Sequence, residues 1–251
     1  MEQHLLDELK RLTGKECCNI ILTETGNTIE NDDTPITASK ILGNPFFPAY
    51  MEKEYPHTTE GVPLVMFAQI NFAQIPPMTE LPTSGLLQIY LNPFNWNDGE
   101  HRIFYFTEEE LKQKSLDIYG HILSEWLDDD EEHYLPARFV HTMEFEKGIS
   151  YSGADDRFFQ RHLSEIREKY SAKVQEEYAQ AVPAEFDCRI GGYSDFTQYD
   201  PRTDTPCYQL LQIDSIEGIN FYDCGIMHIF IDKESLKARE FDKAYMTVDY
   251  Y

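Results

Sequence analysis

Gln69-Ile70-Asn71, followed by Gly85-Leu86-Leu87-Gln88-Ile89-Tyr90-Leu91, is echoed by Gln212-Ile213-Asp214, followed by Gly225-Ile226-Met227-His228-Ile229-Phe230-Ile231. The glycine comes sixteen residues after Gln69 in the first case and thirteen after Gln212 in the second. Upstream, Lys40-Ile41-Leu42-Gly43 resembles Arg189-Ile190-Gly191-Gly192. One unit therefore occurs twice: a glycine turn, a strand ending in Gln-Ile-Asn/Asp, a loop, and a glycine-initiated strand. Two copies are too few for a solenoid and suit one pseudo-symmetric body with a shared core. The apolar runs are nearly continuous, which predicts strands covered on both faces. Leu42 stands where the second copy has Gly191, which predicts a first turn of different construction.

Working outward, Leu5, Leu6, Leu9 and Leu12 recur at helical spacing and Gly14 follows as a stop, so residues 2–13 read as an amphipathic helix. Residues 17–22 read as a buried strand, and 24–61 carry the Thr, Pro, Gly and Asn of loops. Short apolar runs at 62–70, 86–91 and 103–106, rich in β-branched and aromatic residues, predict strands. Thr107 with Glu110 forms a capping-box pattern, so a helix is expected through Leu111, Leu116 and Tyr119 toward Trp126. Residues 134–145 look extended, and the longest helix is expected over 155–181, with His162 packed on its apolar stripe. Strands at 208–213, 225–231 and 245–250 complete the list. The fold class is thus α+β: a duplicated β-rich unit forming one body of mainly antiparallel sheet with flanking helices. The whole chain, 1–251, is a single domain, with copy one at about 35–110, copy two at about 185–250 and a connecting helical segment at about 107–181.

Forty-five acidic residues against 21 basic ones leave a formal charge of −24. Such a field repels nucleic-acid phosphates and anionic lipid, and it attracts basic proteins. No nucleic-acid or membrane partner is expected; the acidity either serves solubility alone, the preferred reading, or meets a basic protein. The acidic run Asp128-Asp129-Asp130-Glu131-Glu132 lacks the alternating ligands and central glycine of a calcium loop. The five cysteines, Cys17, Cys18, Cys188, Cys207 and Cys224, are odd in number and form no C-x-x-C, which argues for reduced thiols over disulfides or zinc. The N-terminus lacks the charged and apolar regions of a signal peptide, and no run reaches the about 18 apolar residues of a membrane helix. A cytoplasmic location is expected.

Several of these residues carry a family resemblance. Gln69-Ile70-Asn71, Leu81-Pro82 and Gly85-Leu86-Leu87-Gln88 are followed by Gly191-Gly192-Tyr193 and Gln198-Tyr199-Asp200-Pro201-Arg202. Leu210-Leu211-Gln212-Ile213-Asp214, Asp223-Cys224-Gly225 and Phe230-Ile231 complete the set. In this order the chain resembles the YwqG-like family of bacterial domains of unknown function, over about residues 35–250. The resemblance implies an α+β fold with internal duplication and brings no established reaction. The family's association with polymorphic toxin systems implies an immunity or protein-binding role.

The most site-like segment is YSDFTQYDPRTD, residues 193–204. Gln198, Asp200 and Arg202 alternate, so an extended backbone would project all three to one face. Gln212 and Asp214 leave the next strand, and Asp223 precedes a glycine turn. Together these six could hold a divalent cation or a polar ligand. The competing reading is that Asp200 and Arg202 pin a loop through a bidentate bond. Gln69 and Gln212 lie inside apolar runs, where an amide must find partners, and a structural task is expected of both. No nucleophile elbow, phosphate loop, dinucleotide fingerprint or H-E-x-x-H occurs, and no metal set or cofactor is assigned. The sequence favours a non-enzymatic protein-binding factor, immunity-like or regulatory. The alternative is a ligand- or divalent-metal-binding enzyme built on the six residues above.

Overall fold

The computed structural model describes residues 3–127, 134–151, 156–167, 171–181, 188–203 and 205–250. Ten strands form one sheet: β1 (Lys15–Glu24), β2 (Lys40–Ile41), β3 (Val65–Asn71), β4 (Leu86–Leu91), β5 (Arg102–Phe106), β6 (His141–Ser150), β7 (Arg189–Gly191), β8 (Cys207–Asp214), β9 (Ile226–Asp232) and β10 (Tyr245–Asp249). Their order is β10-β9-β8-β7-β1-β6-β2-β3-β4-β5, and the pairings are antiparallel. The long β1–β6 ladder sits at the centre of that order, running from Lys15 opposite Ser150 to Glu24 opposite His141.

The sheet curls into a nearly closed barrel. Its two edge strands approach each other because a 3₁₀ turn, Phe241–Lys243, just before β10 leans on β5. There the Phe241 ring lies 4.5 Å from Tyr105 and 5.9 Å from Phe72. Elsewhere Phe221, after β8, meets Phe67 of β3 edge-on at 5.8 Å. Such aromatic contacts weld the two ends of the strand order into one core. Enclosure explains why β3, β4, β8 and β9 are buried almost throughout, as their continuous apolar runs require.

The two flanks of the strand order share local geometry. A bulge interrupts β3 between Met66 and Ala68, and another interrupts β8 between Gln209 and Leu211. Past each bulge Gln69 faces Gln88, and Gln212 faces His228. Lys40 lies opposite Gln69, and Arg189 lies opposite Gln212. The short strands β2 and β7 end in left-handed pairs. Leu42 and Gly43 have φ of 55° and 87°, and Gly191 and Gly192 have φ of 69° and 72°. The turn at Leu42 is therefore built like its counterpart, against the expectation from its sequence. Its buried side chain and the Leu42 N–H bond to the Phe67 carbonyl offset the roughly 1–2 kcal/mol that a left-handed leucine costs.

Among the described residues four helices flank the sheet: α1 (Gln3–Thr13), α2 (Arg157–Arg167), α3 (Ala172–Ala181) and α4 (Lys233–Ala238). Leu9 of α1 packs with Phe159, Tyr178 and Tyr193 in a small second cluster. Two helical expectations are corrected. The helix expected over 155–181 is two, with Ser171 outside both. The capping box at Thr107 forms, with Glu110 accepting from both its N–H and its hydroxyl, yet it opens only a 3₁₀ turn. The next residues are drawn away: Lys114 accepts from the Ala49 N–H, and Ser115 bridges to Pro48. Tertiary pairing overrides the local helix signal there. A π-helical turn, Tyr119–Leu123, follows. The acidic run at 128–132 lies outside the described residues, as does the side chain of His162.

No described helix is long and apolar enough to cross a membrane. Beneath the first flank, Lys40 is fully buried and bonds the carboxylate of equally buried Asp32 at 2.8 Å, with Thr34 and the Asn44 carbonyl as further acceptors. Removing one partner leaves an uncompensated buried charge. Asp32→Ala should lower the urea-unfolding free energy by about 3–5 kcal/mol. A loss below about 1 kcal/mol would show that the pair does not hold this flank.

Candidate functional site

The left-handed pair Gly191-Gly192 turns the chain off β7 and sends residues 193–202 back across β8 and β9. Asp195 is fixed by its backbone, its N–H donating to Gln212 Oε1 at 3.0 Å and its carbonyl accepting from His228 Nε2 at 2.9 Å. Its carboxylate pairs with Arg189, whose Nε donates to the Tyr193 carbonyl. On the other flank Phe46 is held the same way. Its N–H donates to Gln69 Oε1 at 3.3 Å and its carbonyl accepts from Gln88 Nε2 at 2.7 Å.

Further along lies a buried cage. Asp200 takes Arg202 in a bidentate grip, Nε to Oδ1 at 2.8 Å and Nη2 to Oδ2 at 2.6 Å. Asp156 adds a second carboxylate at 2.9 Å from Nη2. The guanidinium carbon lies over three phenyl rings, those of Phe158 and Phe230 at 4.9 Å and Phe196 at 5.2 Å. Asp156 also caps α2 by accepting from the N–H groups of Phe158 and Phe159, and its Oδ2 takes the Ser194 N–H. Asp200 accepts from the Arg157 N–H and, through its carbonyl, from the Arg157 guanidinium. The cage therefore bolts the N-terminus of α2 to the returning segment. Burial would raise the Asp200 carboxyl, but hydrogen bonds from Arg202 and the Arg157 backbone outweigh it and hold the group below the ordinary carboxylate value. Burial likewise opposes the charge on Arg202, and the two carboxylates more than restore it.

The remaining residues singled out in the sequence lie elsewhere. Gln198 is exposed, its N–H on Asp249 Oδ2 and its side chain on the Tyr250 carbonyl. Gln212 is buried beneath Asp195. Asp214 closes β8, its carboxylate accepting from the Ser215 N–H. Arg202 touches Cys207 at the opposite end of that strand, roughly 20 Å away at strand spacing. Asp223 is exposed in the turn between β8 and β9. So Asp200 and Arg202 meet, while Gln198 and Asp223 reach the neighbourhood of Tyr250 on the surface. The alternation of Gln198, Asp200 and Arg202 does not become a shared face, since no strand forms there and Gln198 turns outward while the other two turn in. Sequence reasoning missed Asp156, Asp195 and Arg189. An aspartate two residues ahead of Phe158-Phe159 was the available helix-cap signal.

Among the described residues no group of three or more His, Cys, Asp or Glu is placed to hold a metal ion. Burial, with Cys17 beside it, pushes the Cys18 thiol up to about 12, so it is no thiolate at neutral pH. Burial first, then Arg202 and Arg189, push His228 down to about 3, and its Nδ1 has no partner. This histidine is a neutral strut.

That depression has a consequence in acid. Between about pH 6.5 and about pH 3 the unfolded chain binds a proton that the folded chain refuses, so stability falls as pH falls through that window. In His228→Gln, the new amide can donate to Asp195 as Gln88 does to Phe46. The urea-unfolding free energy of this variant should fall less steeply from pH 6.5 to 4, by up to about 1.4 kcal/mol per pH unit. Equal slopes for the two proteins would mean that His228 titrates normally. Below about pH 4 both should weaken, as the depressed carboxyls of Asp32 and Asp200 are protonated.

No curated protein matches the chain. Residues 39–249 match the model of a family described as a domain of unknown function (DUF1963), and the chain belongs to that family.

Proposed function

We propose that this protein is a non-catalytic binding factor that docks a basic protein on an aromatic face at the β8–β9 turn. The observation that carries this reading is the backbone of that turn. Tyr222 and Cys224, on either side of Asp223, both have left-handed φ, 58° and 51°. A bulky residue in that conformation costs roughly 1–2 kcal/mol, and glycine would avoid the cost. The strain serves to hold Tyr222 half exposed, its ring 4.7 Å from Trp96 and 5.4 Å from Tyr250. Exposed Tyr134 donates its N–H to the carbonyl of Pro93, three residues before Trp96. Exposed Tyr199 follows Gln198, whose side chain bonds the Tyr250 carbonyl.

Rigid tyrosines with a carboxylate among them are the chemistry of interface anchors, and the −24 charge supplies long-range attraction for a cationic partner. In this reading Gln198 and Asp223 belong to the docking face, while Asp200, Arg202 and Gln212 hold the segment beneath it. The alternative, a ligand- or cation-binding enzyme on the six residues including Asp214, has less support, because Asp200 and Arg202 saturate each other. The mirrored strand order, the paired bulges and the matching Phe46 and Asp195 clamps support descent from a duplicated unit, and the motif order supports a YwqG-like branch of the family.

The test uses a substitution the fold tolerates. Tyr222→Gly relieves the left-handed strain, so the variant should fold, while Asp223→Lys reverses the charge. Partners captured from native lysate by the wild-type chain should be basic, and their affinity, titrated with purified proteins, should fall about tenfold or more in either variant. Affinity should also fall from about 50 to about 500 mM salt. Partners that bind both variants as well as they bind the wild type would overturn the assignment of this face.

A further inference from the structure

We propose that the seam where the barrel nearly closes is a binding site for a small organic anion, an apolar or aromatic body bearing a carboxylate or phosphate. This site is independent of the docking face and does not rest on it. A cleft of about 470 Å³ lies between edge strand β5 and the turn preceding β10, within the size range of small-molecule sites. One wall is apolar and flat: Tyr105 and Phe241 stack at 4.5 Å with 33° between their planes, beside Phe104. The Tyr105 hydroxyl is directed to the Ser84 carbonyl, which leaves the ring as the surface offered.

Two arginines stand on the lining against a single carboxylate, in a chain where acids outnumber bases by more than two to one. Arg102 and Arg239 both line the cleft. Each donates only to a backbone carbonyl, Arg102 to His101 at 2.8 Å and Arg239 to Glu80 at 3.3 Å. Among the described residues neither forms an ion pair, although exposed carboxylates abound. Unpaired guanidiniums can give a carboxylate or phosphate bidentate bonds. His101 lines the same cleft, beside Arg102. Asp242 is the one carboxylate on the lining and leaves it net cationic.

The backbone beneath Arg239 points the same way. This residue follows α4 with φ of 63°, and its N–H and that of Glu240 close the helix on Leu236 and Ser235. Glycine is the usual occupant of such a position. An arginine there accepts strain that glycine would not, and its side chain is delivered to the cleft.

That strain provides a test in which folding is not at risk. Arg239→Gly suits the left-handed backbone, and Arg102→Gln is an exposed change. Backbone amide NMR on the full chain should show saturable shifts with phenyl phosphate, confined to residues 101–105 and 239–244. Affinity should fall about tenfold in each variant. Phenol and inorganic phosphate should each bind more weakly than phenyl phosphate, since each lacks half of the recognised chemistry. Absence of saturable shifts, shifts unchanged in both variants, or inorganic phosphate binding as tightly as phenyl phosphate would each overturn the proposal.

Discussion

Gln69 and Gln212 each place a side-chain amide where a strand's backbone would otherwise stand, and the rest of the sheet depends on that substitution. The short strands β2 and β7 end in left-handed residues, so the chain leaves the ladder and crosses back over it. Phe46 and Asp195 then lie above the sheet with polar backbone groups in a buried setting. The glutamine oxygen takes the N–H in each case, and a neighbouring side chain, Gln88 or His228, takes the carbonyl. Each unpaired group would cost about 1–3 kcal/mol, so the amides make the crossing affordable.

From this follows a division between buried polar groups that build and exposed groups that can bind. Lys40 with Asp32 and Arg202 with Asp156 and Asp200 are buried pairs, and Arg189 with Asp195 is partly buried, all with further hydrogen bonds. Buried pairs contribute little net stability yet penalise every arrangement that separates them, which fixes one geometry. The strained residues that remain exposed, Tyr222, Cys224 and Arg239, lie in turns and hold their side chains at the surface. Strain of this kind persists where surrounding structure over-determines it and is concentrated at functional positions.

The strands ending in Gln-Ile-Asn or Gln-Ile-Asp, and the glycine-initiated strands that follow them, were legible because they depend on local chemistry: apolar runs bounded by turn formers. The turn at Leu42 was not, since nothing in a leucine signals positive φ and only the Phe67 carbonyl and the core around it impose one. The failed helix after Thr107 shows the same limit, a correct capping box overruled by Pro48 and Ala49 from a distant segment. In the candidate site, the Asp200–Arg202 pair could be anticipated from spacing. Its second carboxylate and three phenyl rings come from α2, β9 and the returning loop, contacts that spacing along the chain does not encode. The aromatic face escaped notice because its members are scattered from Trp96 to Tyr250 and converge only through the turn at Tyr222.

The most direct measurement of the central claim is native-state hydrogen exchange at the Phe46 and Asp195 amides. Both donate to side chains rather than to a strand, and neither lies in regular secondary structure. If the glutamine clamps hold the sheet, these two amides should exchange as slowly as those of central strands β1 and β6, through openings close to global unfolding. Exchange at the rate of ordinary surface loops would contradict the account, since it would show that the crossings open without disturbing the sheet.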